Sequence, residues 1–335
     1  MYWVVKFLSQ MVMLLPNGVA LGLGRLFGWV GYYLGPAKKR HTAYRNLRIA
    51  FGGIVSDKEI RGILRANYQR LGQNIIEVLR LPIYAREGVR KKVTVVGEEN
   101  LNAALARNKG VIFLSMHSGN WELSSLVGSM RGHPYNLVAN PLSTMGPIEK
   151  LFNEYRQFAG CKIVNPGFGM REVIRCLKAN EIVSLVADQG GKDGALVSFF
   201  GRPASMSTGA IRLARKYGAS ICLVDISRKQ DGTHCLTVDP PLELAETGAG
   251  EEKDVLFNLQ RVIDRFEQLV RKHPTEYMWF YKVWKYSSMK DVLILDDGRT
   301  GHLRQSQALA KILQEELAEK GKHVLLHTVA LTYRS

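Results

Sequence analysis

His117 closes a short apolar run, Val111-Ile112-Phe113-Leu114-Ser115-Met116, and a carboxylate, Glu122, follows five positions later. A histidine titrates near neutral pH and can take a proton from a hydroxyl. A carboxylate on its other ring nitrogen fixes the tautomer and stabilises the imidazolium. The pair therefore suits a general base. Serine and cysteine do not stand in a nucleophile-elbow pattern, so the attacking hydroxyl is expected on the substrate. The same spacing also fits a buried, hydrogen-bonded histidine at a strand end, and the setting favours chemistry.

Two later stretches could serve that histidine. Asp188-Gln189-Gly190-Gly191 follows the apolar run ending at Ala187, so its loop is expected to face the same crevice, although a glycine-rich turn with an aspartate is also an ordinary loop. Phe199-Phe200-Gly201-Arg202-Pro203-Ala204 reads as exposed aromatics beside a glycine and an arginine. That suits an acyl chain entering next to an anionic head group; core packing of both phenylalanines is the competing explanation.

These residues need a frame. Val111–Leu114 is β-branched and aromatic and follows the turn Asn108-Lys109-Gly110, which predicts a buried strand. His117 lies past its carboxyl end, where open α/β sheets bind ligands. Gly119-Asn120 supplies a turn, and a helix is expected from Trp121 to Arg131. Further strands are predicted at 93–96, 135–139, 162–164, 182–187 and 221–226, and helices at 98–107, 148–158, 170–178, 207–217 and 254–272. This alternation implies an α/β fold with a mostly parallel central sheet flanked by helices. Upstream, Ser56-Asp57-Lys58-Glu59 is a capping box opening a long amphipathic helix that runs to Pro82 and reads as scaffold.

The chain has 335 residues, 46% hydrophobic and 23% charged, with a net charge of +16. It is long enough for one large domain or two smaller ones. The basic excess calls for an anionic partner, such as a phospholipid surface, an acidic carrier protein or nucleic acid. No nucleic-acid-binding signature is present, and the basic cluster Lys38, Lys39, Arg40, His41, Arg45, Arg48 directly follows an apolar segment, residues 2–34. Pro16-Asn17-Gly18, several glycines and Arg25 interrupt that segment. Two helices in the membrane interface are therefore expected rather than a clean span. Cys161, Cys176, Cys222 and Cys235 are widely spaced, with no metal pattern, and read as reduced core residues. The expected organisation is a membrane-associating segment at 1–35, a catalytic domain at 36–289 and a partial Rossmann-like unit at 290–335.

His117-Ser118-Gly119-Asn120-Trp121-Glu122 resembles the HxxxxD/E signature of the glycerolipid and lysophospholipid acyltransferases, in the version found in the late acyltransferases of bacterial lipid A biosynthesis. Further blocks resemble that family in order: Arg45-Asn46-Leu47, then Asn140-Pro141-Leu142 with Arg156 and Gly160, then Asp188-Gln189, Phe199 to Ala204, and His273-Pro274 with Tyr277 and Trp279. The similarity spans residues 1–286. It implies a glycerolipid acyltransferase-like fold, and transfer of a fatty acyl group from acyl carrier protein or CoA to a hydroxyl of a lipid A precursor or related glycolipid or lysophospholipid. It implies no cofactor or metal, and a location on the cytoplasmic face of the bacterial inner membrane, peripheral or with one N-terminal anchor.

In this reading His117 is the base and Glu122 orients it. The amides of Ser118, Gly119 and Asn120 are candidates for the oxyanion, and Arg156 and Arg202 for phosphate. Asn140, Asp188, Gln189, Phe199 and Phe200 complete the expected substrate-binding set. The chain departs from the family at Tyr281-Lys282-Val283-Trp284-Lys285, where paired arginines are usual, and around Val224-Asp225, where a proline is usual. Both leave the acceptor open.

In the last 45 residues or so, Asp296-Asp297-Gly298-Arg299-Thr300-Gly301-His302 with Gln305-Ser306 resembles the opening of a glycosyltransferase-like family annotated by similarity to mitochondrial fission proteins. Glycosyl transfer, or non-catalytic binding to a membrane surface, are accordingly the alternative functions.

Overall fold

The computed structural model describes residues 2–130, 132–139, 146–158, 160–165 and 169–331. In chain order the elements are α1 (Tyr2–Met13), α2 (Asn17–Leu34), α3 (Ala37–Phe51), α4 (Asp57–Leu79), α5 (Leu81–Glu87), β1 (Val93–Val96), α6 (Glu98–Ala106), β2 (Val111–Ser115), α7 (Trp121–Met130), β3 (Tyr135–Val138), α8 (Gly146–Phe158), β4 (Cys161–Val164), α9 (Met170–Lys178) and β5 (Ile182–Val186). There follow β6 (Ala195–Phe199), β7 (Arg202–Met206), α10 (Gly209–Tyr217), β8 (Ser220–Arg228), β9 (His234–Val238), α11 (Glu251–Lys272), β10 (Met289–Asp296), α12 (Thr300–Glu319) and β11 (His323–Ala330).

Seven strands form the central sheet in the order β1-β9-β8-β2-β5-β3-β4. Every pairing is parallel except β8 with β9. The mostly parallel α/β expectation therefore holds. β2 is buried along its whole length, as a strand must be when helices cover both faces of its sheet. Ile112 and Leu114 join one apolar core, Val111 and Phe113 the other. β9 and the β6–β7 hairpin were not expected from sequence. The hairpin pairs Phe199 with Arg202, leaving Phe200 and Gly201 as its two-residue turn. Both have positive φ, 52° and 70°, as the hairpin turns that match strand twist require.

The N-terminal segment forms two helices parted by Pro16, and among the described residues no helix is long and apolar enough to cross a membrane. A Cβ on Gly28 would lie 2.2 Å from the carbonyl oxygen of Tyr68, and one on Gly72 2.1 Å from that of Gly24. The absence of side chains here lets α2 and α4 touch backbone to backbone. α4 opens with its capping box complete: the Ser56 hydroxyl accepts from the Glu59 amide, and the Glu59 carboxylate accepts from the Ser56 amide. β10 and β11 pair parallel in a separate two-stranded sheet, with α12 connecting them.

Candidate active site

β2 and β5 pair in register from Val111↔Ile182 to Ser115↔Val186. Two residues beyond, His117 and Asp188 emerge side by side at the carboxyl edge of the sheet. Asp188 grips the histidine twice. One carboxylate oxygen lies 2.7 Å from the ring Nδ1, and the other accepts the His117 backbone amide at 3.2 Å. Asp188 is 3% exposed, while the His117 side chain retains 25% exposure. With Nδ1–H directed at Asp188, Nε2 is the nitrogen left to act as a base. The Gln189 amide stands 3.4 Å from Nδ1, and the Trp121 ring meets the imidazole edge-on at 5.4 Å. The buried Tyr277 phenol hydrogen-bonds Asp188; burial and that carboxylate raise its pKa, so it stays protonated and donates.

Burial alone would lower the His117 pKa. The charge and hydrogen bond of Asp188, with the charge of Glu122 added, outweigh burial and leave it above the ordinary value. Here the sequence expectation is corrected: the carboxylate on Nδ1 is Asp188. Glu122, in the first turn of α7, is instead engaged by Arg156 of α8, whose Nε and Nη2 reach its two oxygens at 2.8 and 2.5 Å. Both side chains are nearly buried, at 9% and 12%. Arg156, expected at a substrate phosphate, thus balances Glu122. Strand register decides the matter, because residue 188 is carried to residue 117 by the sheet whereas residue 122 faces the neighbouring helix.

The loop after His117 is pinned on several sides. Gly119 has φ 59°, and a Cβ there would sit 1.7 Å from the carbonyl oxygen of Ile226, so only glycine fits. The Ser118 amide donates to Met116 O at 2.8 Å and the Gly119 amide to Glu276 O at 3.1 Å. These two expected oxyanion donors are therefore already bonded within the protein. The Asn120 side chain is buried and donates to Glu77 at 2.7 Å. Met278 N donates to His117 O at 2.8 Å, and Ser118 bridges to Tyr277, so the segment 276–278 lies along the loop. Asn67 of α4 holds the carbonyls of Thr275 and Tyr277, each at 2.8 Å, and Asn46 of α3 that of Trp279 at 2.8 Å.

Phe199 and Phe200 are 1% and 7% exposed. The expected exposed aromatics are core residues, packed on Tyr277, Trp279, Trp284 and Phe51. Arg202 makes a two-pronged ion pair with Asp291 of β10, at 2.6 and 2.7 Å. Asn140 lies outside the described residues. Cys161, Cys176 and Cys222 are buried thiols and Cys235 is partly buried. Among the described residues no group of His, Cys, Asp and Glu could hold a metal ion.

Sequence reasoning marks both strand ends but does not join Asp188 to His117. Tyr277 and Asn46 stand out in the sequence only through resemblance. The polar residues Asn67, Asn74 and Glu77 inside an otherwise amphipathic helix are the available signal for the supports beneath the loop.

The profile of the bacterial lipid A biosynthesis acyltransferase family matches residues 1–286. The phosphatidylinositol mannoside acyltransferase of Mycobacterium tuberculosis is 29% identical over 237 residues, 66% of this chain and 70% of that protein. The protein of the same name from Mycolicibacterium smegmatis is 27% identical, covering 82% and 88%. The lipid A biosynthesis palmitoleoyltransferase of Escherichia coli is 26% identical, covering 85% and 92%.

The Glu122–Arg156 pair yields a stability test. Glu122→Gln strands a nearly buried guanidinium and is expected to cost about 3–5 kcal/mol, most of it recovered when Arg156→Met is added. Denaturant unfolding of the three variants measures this; strictly additive effects would show that the two side chains are not coupled.

Proposed function

Given that the chain belongs to the bacterial lipid A biosynthesis acyltransferase family, we propose that it moves a fatty acyl group from a thioester to a hydroxyl of a membrane glycolipid, with His117 as general base. The observation that carries this is the doubly held His117, whose Nδ1 is tied to Asp188 at 2.7 Å while its ring remains partly open to solvent.

The chemistry follows from that tautomer. Nε2 takes the proton of the acceptor hydroxyl as its oxygen attacks the thioester carbonyl carbon. The oxyanion intermediate collapses, the C–S bond breaks, and the imidazolium returns its proton to the departing thiolate. The products are an ester and a free thiol. Between the two proton transfers the imidazolium is stabilised by Asp188, its hydrogen-bond partner, and by the nearby charge of Glu122. General-base assistance of this kind is worth about 10²- to 10⁴-fold. Arg156 tempers the effect of Glu122, and Tyr277 keeps Asp188 in place.

The net charge of +16 supports acyl carrier protein, an acidic partner, as the donor; acyl-CoA is the other candidate. For the acceptor, the relatives' names give two glycolipid classes, lipid A and phosphatidylinositol mannosides. We place the enzyme at the cytoplasmic face of an inner membrane. On α1, Trp3, Val4, Phe7, Leu8 and Met11 form an exposed apolar stripe, and the basic cluster of α3 follows α2. Apolar stripe and polybasic patch together suffice for peripheral anchoring. Acyl transfer is assigned to residues 36–289. The β10–α12–β11 unit lies beyond the family match, which ends at residue 286.

The direct test supplies acyl carrier protein and CoA thioesters with lipid A precursors, phosphatidylinositol mannosides and lysophospholipids. Esterification of a glycolipid is expected, lost in folded His117→Ala; equal turnover by that variant would remove His117 as the base. Because the base form of His117 is required and its pKa is raised, kcat/KM should fall as pH drops through a value above the ordinary 6.5 or so. Asp188→Asn should move that limb to lower pH and cut kcat about 10²- to 10⁴-fold; an unshifted limb would contradict the assignment. For membrane contact, Phe7→Asp should weaken flotation with anionic vesicles about tenfold or more. Unchanged flotation would move the contact elsewhere.

A further inference from the structure

A polar stripe runs along α4 on the side facing the loop after His117. Asn67, Arg70, Asn74 and Glu77 recur at helical spacing, and Asn67, Asn74 and Glu77 are buried. Asn67 and Arg70 address the segment at 275–277: Asn67 through two carbonyls, Arg70 through an ion pair with Glu276 at 3.4 Å. Asn74 and Glu77 address the catalytic loop. Asn74 donates to Gly119 O at 2.7 Å, and Glu77 accepts from the Asn120 side chain at 2.7 Å.

Arg228, at the end of β8, closes this arrangement into a ring. Its Nη1 and Nη2 donate to the two oxygens of Glu77, each at 2.6 Å, and Nη2 also donates to Asn74 Oδ1 at 2.8 Å. His234 of β9 adds its Nε2 at 3.0 Å from Glu77. The path Gly119–Asn74–Arg228–Glu77–Asn120 thus begins and ends on adjacent residues of the stretch between His117 and Glu122. Burial alone would push the Glu77 carboxyl up, but His234 and Arg228 outweigh it and bring it down to about 2, so the ring carries a permanent buried charge.

Such a charge is an expensive way to fasten a helix. Burying an ion pair seldom gains stability over well-packed apolar residues of the same size. What it supplies is direction, because each oxygen and N–H has one place to point. We propose that Glu77 is a positioning residue for acyl transfer: through Asn120, and through Arg228 and Asn74 to Gly119, it fixes the loop that keeps His117 on Asp188 with Nε2 aimed into the crevice. The inference rests on the acyl-transfer reading for its kinetics only, since the geometry it claims can be measured without turnover.

A purely structural Glu77 would hold α4 to β8 and leave the imidazole alone. The variant that separates the two roles is Asn120→Ala, which cuts the direct link from Glu77 to the loop, together with the bond that Asn120 Oδ1 accepts from the Leu123 amide at 3.2 Å, and leaves Glu77, Arg228 and His234 together with the path through Asn74. Asn258→Ala is the control, a buried asparagine bonded to Ala245 and Asp254 and outside the ring. Among the described residues, the charged and polar groups facing the His117 ring are Asp188 and Gln189 after β5 and Glu122 on α7, with Tyr277 behind Asp188. None of these side chains is replaced in either variant.

The experiment uses the full chain with ¹⁵N-labelled histidine, checked for cooperative unfolding. It reads the titration midpoint of His117, identified by its loss in His117→Ala, together with turnover on the best thioester and glycolipid. In Asn120→Ala the midpoint should fall toward that of an ordinary histidine. Its kcat should drop about 10- to 100-fold, with both KM values within about twofold. Asn258→Ala should change only the unfolding temperature. An unchanged midpoint and kcat in both Asn120→Ala and Asn74→Ser, which unhooks Gly119, would overturn the proposal. If Asn120→Ala does not fold, Asn74→Ser alone is judged by the same readings. Wild-type protein that titrates as expected but transfers no acyl group would sink the acyl-transfer reading, while the midpoints still decide the positioning role.

Discussion

Everything at the site depends on the parallel register between β2 and β5. Because Ser115 pairs with Val186, the strands deliver His117 and Asp188 together at the edge of the sheet, and a slip of one residue would turn both side chains to opposite faces. Two apolar cores, one on each face, hold that register. Ile112 and Leu114 anchor it in one and Val111 and Phe113 in the other, so neither strand can slide without exposing a row of buried side chains. The proposed chemistry is thus set by a pair of strands in the buried centre of the sheet, and the loops only have to keep what the strands provide.

Keeping it takes an unusual amount of buried polarity. The loop at 118–120 has no apolar side chain to bury, so it is held by hydrogen bonds, to Glu276 O behind, from Asn74 and to Glu77 below, and by the close approach of Ile226 to Gly119. The segment at 273–286 is held the same way by Asn46 and Asn67. Hydrogen bonds to main-chain carbonyls fix position whatever the side chain, which leaves the Tyr277 and Trp279 rings to fill the core. Their supports come from α3 and α4, and α4 is in turn seated against α2 through Gly24, Gly28 and Gly72. α1, which carries the exposed apolar stripe, is tied to the end of the same helix by Ser9, whose hydroxyl donates to Leu79 O at 2.6 Å.

Much of this is legible in the sequence. Alternating apolar runs give the parallel sheet, the capping box gives the start of α4, and the position of His117 past a β-branched run marks the sheet edge where the proposed base stands. What is not legible is pairing across the fold. The five-residue interval from His117 to Glu122 suggests a dyad, but interval along a chain does not say which way a helix turns its side chain. Glu122 turns to Arg156, and Asp188, 71 positions away, comes to the ring. The Phe199-Phe200 pair looks like a binding edge because its neighbours are polar; it is a hairpin turn plugged into the core, with Arg271 stacked over Phe200 at 4.6 Å. The roles of Asn74 and Glu77 are hidden for a related reason. The apolar periodicity of α4 accounts for the helix by itself, and it says nothing of the partners that polar residues within its buried face will meet.

The assignment of the base is tested most directly by the structure of this protein with an acceptor glycolipid bound, read for the distance from the acylated hydroxyl to His117. If His117 is the general base, that oxygen lies within about 3.2 Å of Nε2, with Nδ1 still on Asp188. A hydroxyl seated instead against another side chain, with Nε2 beyond reach even through one water, would contradict it.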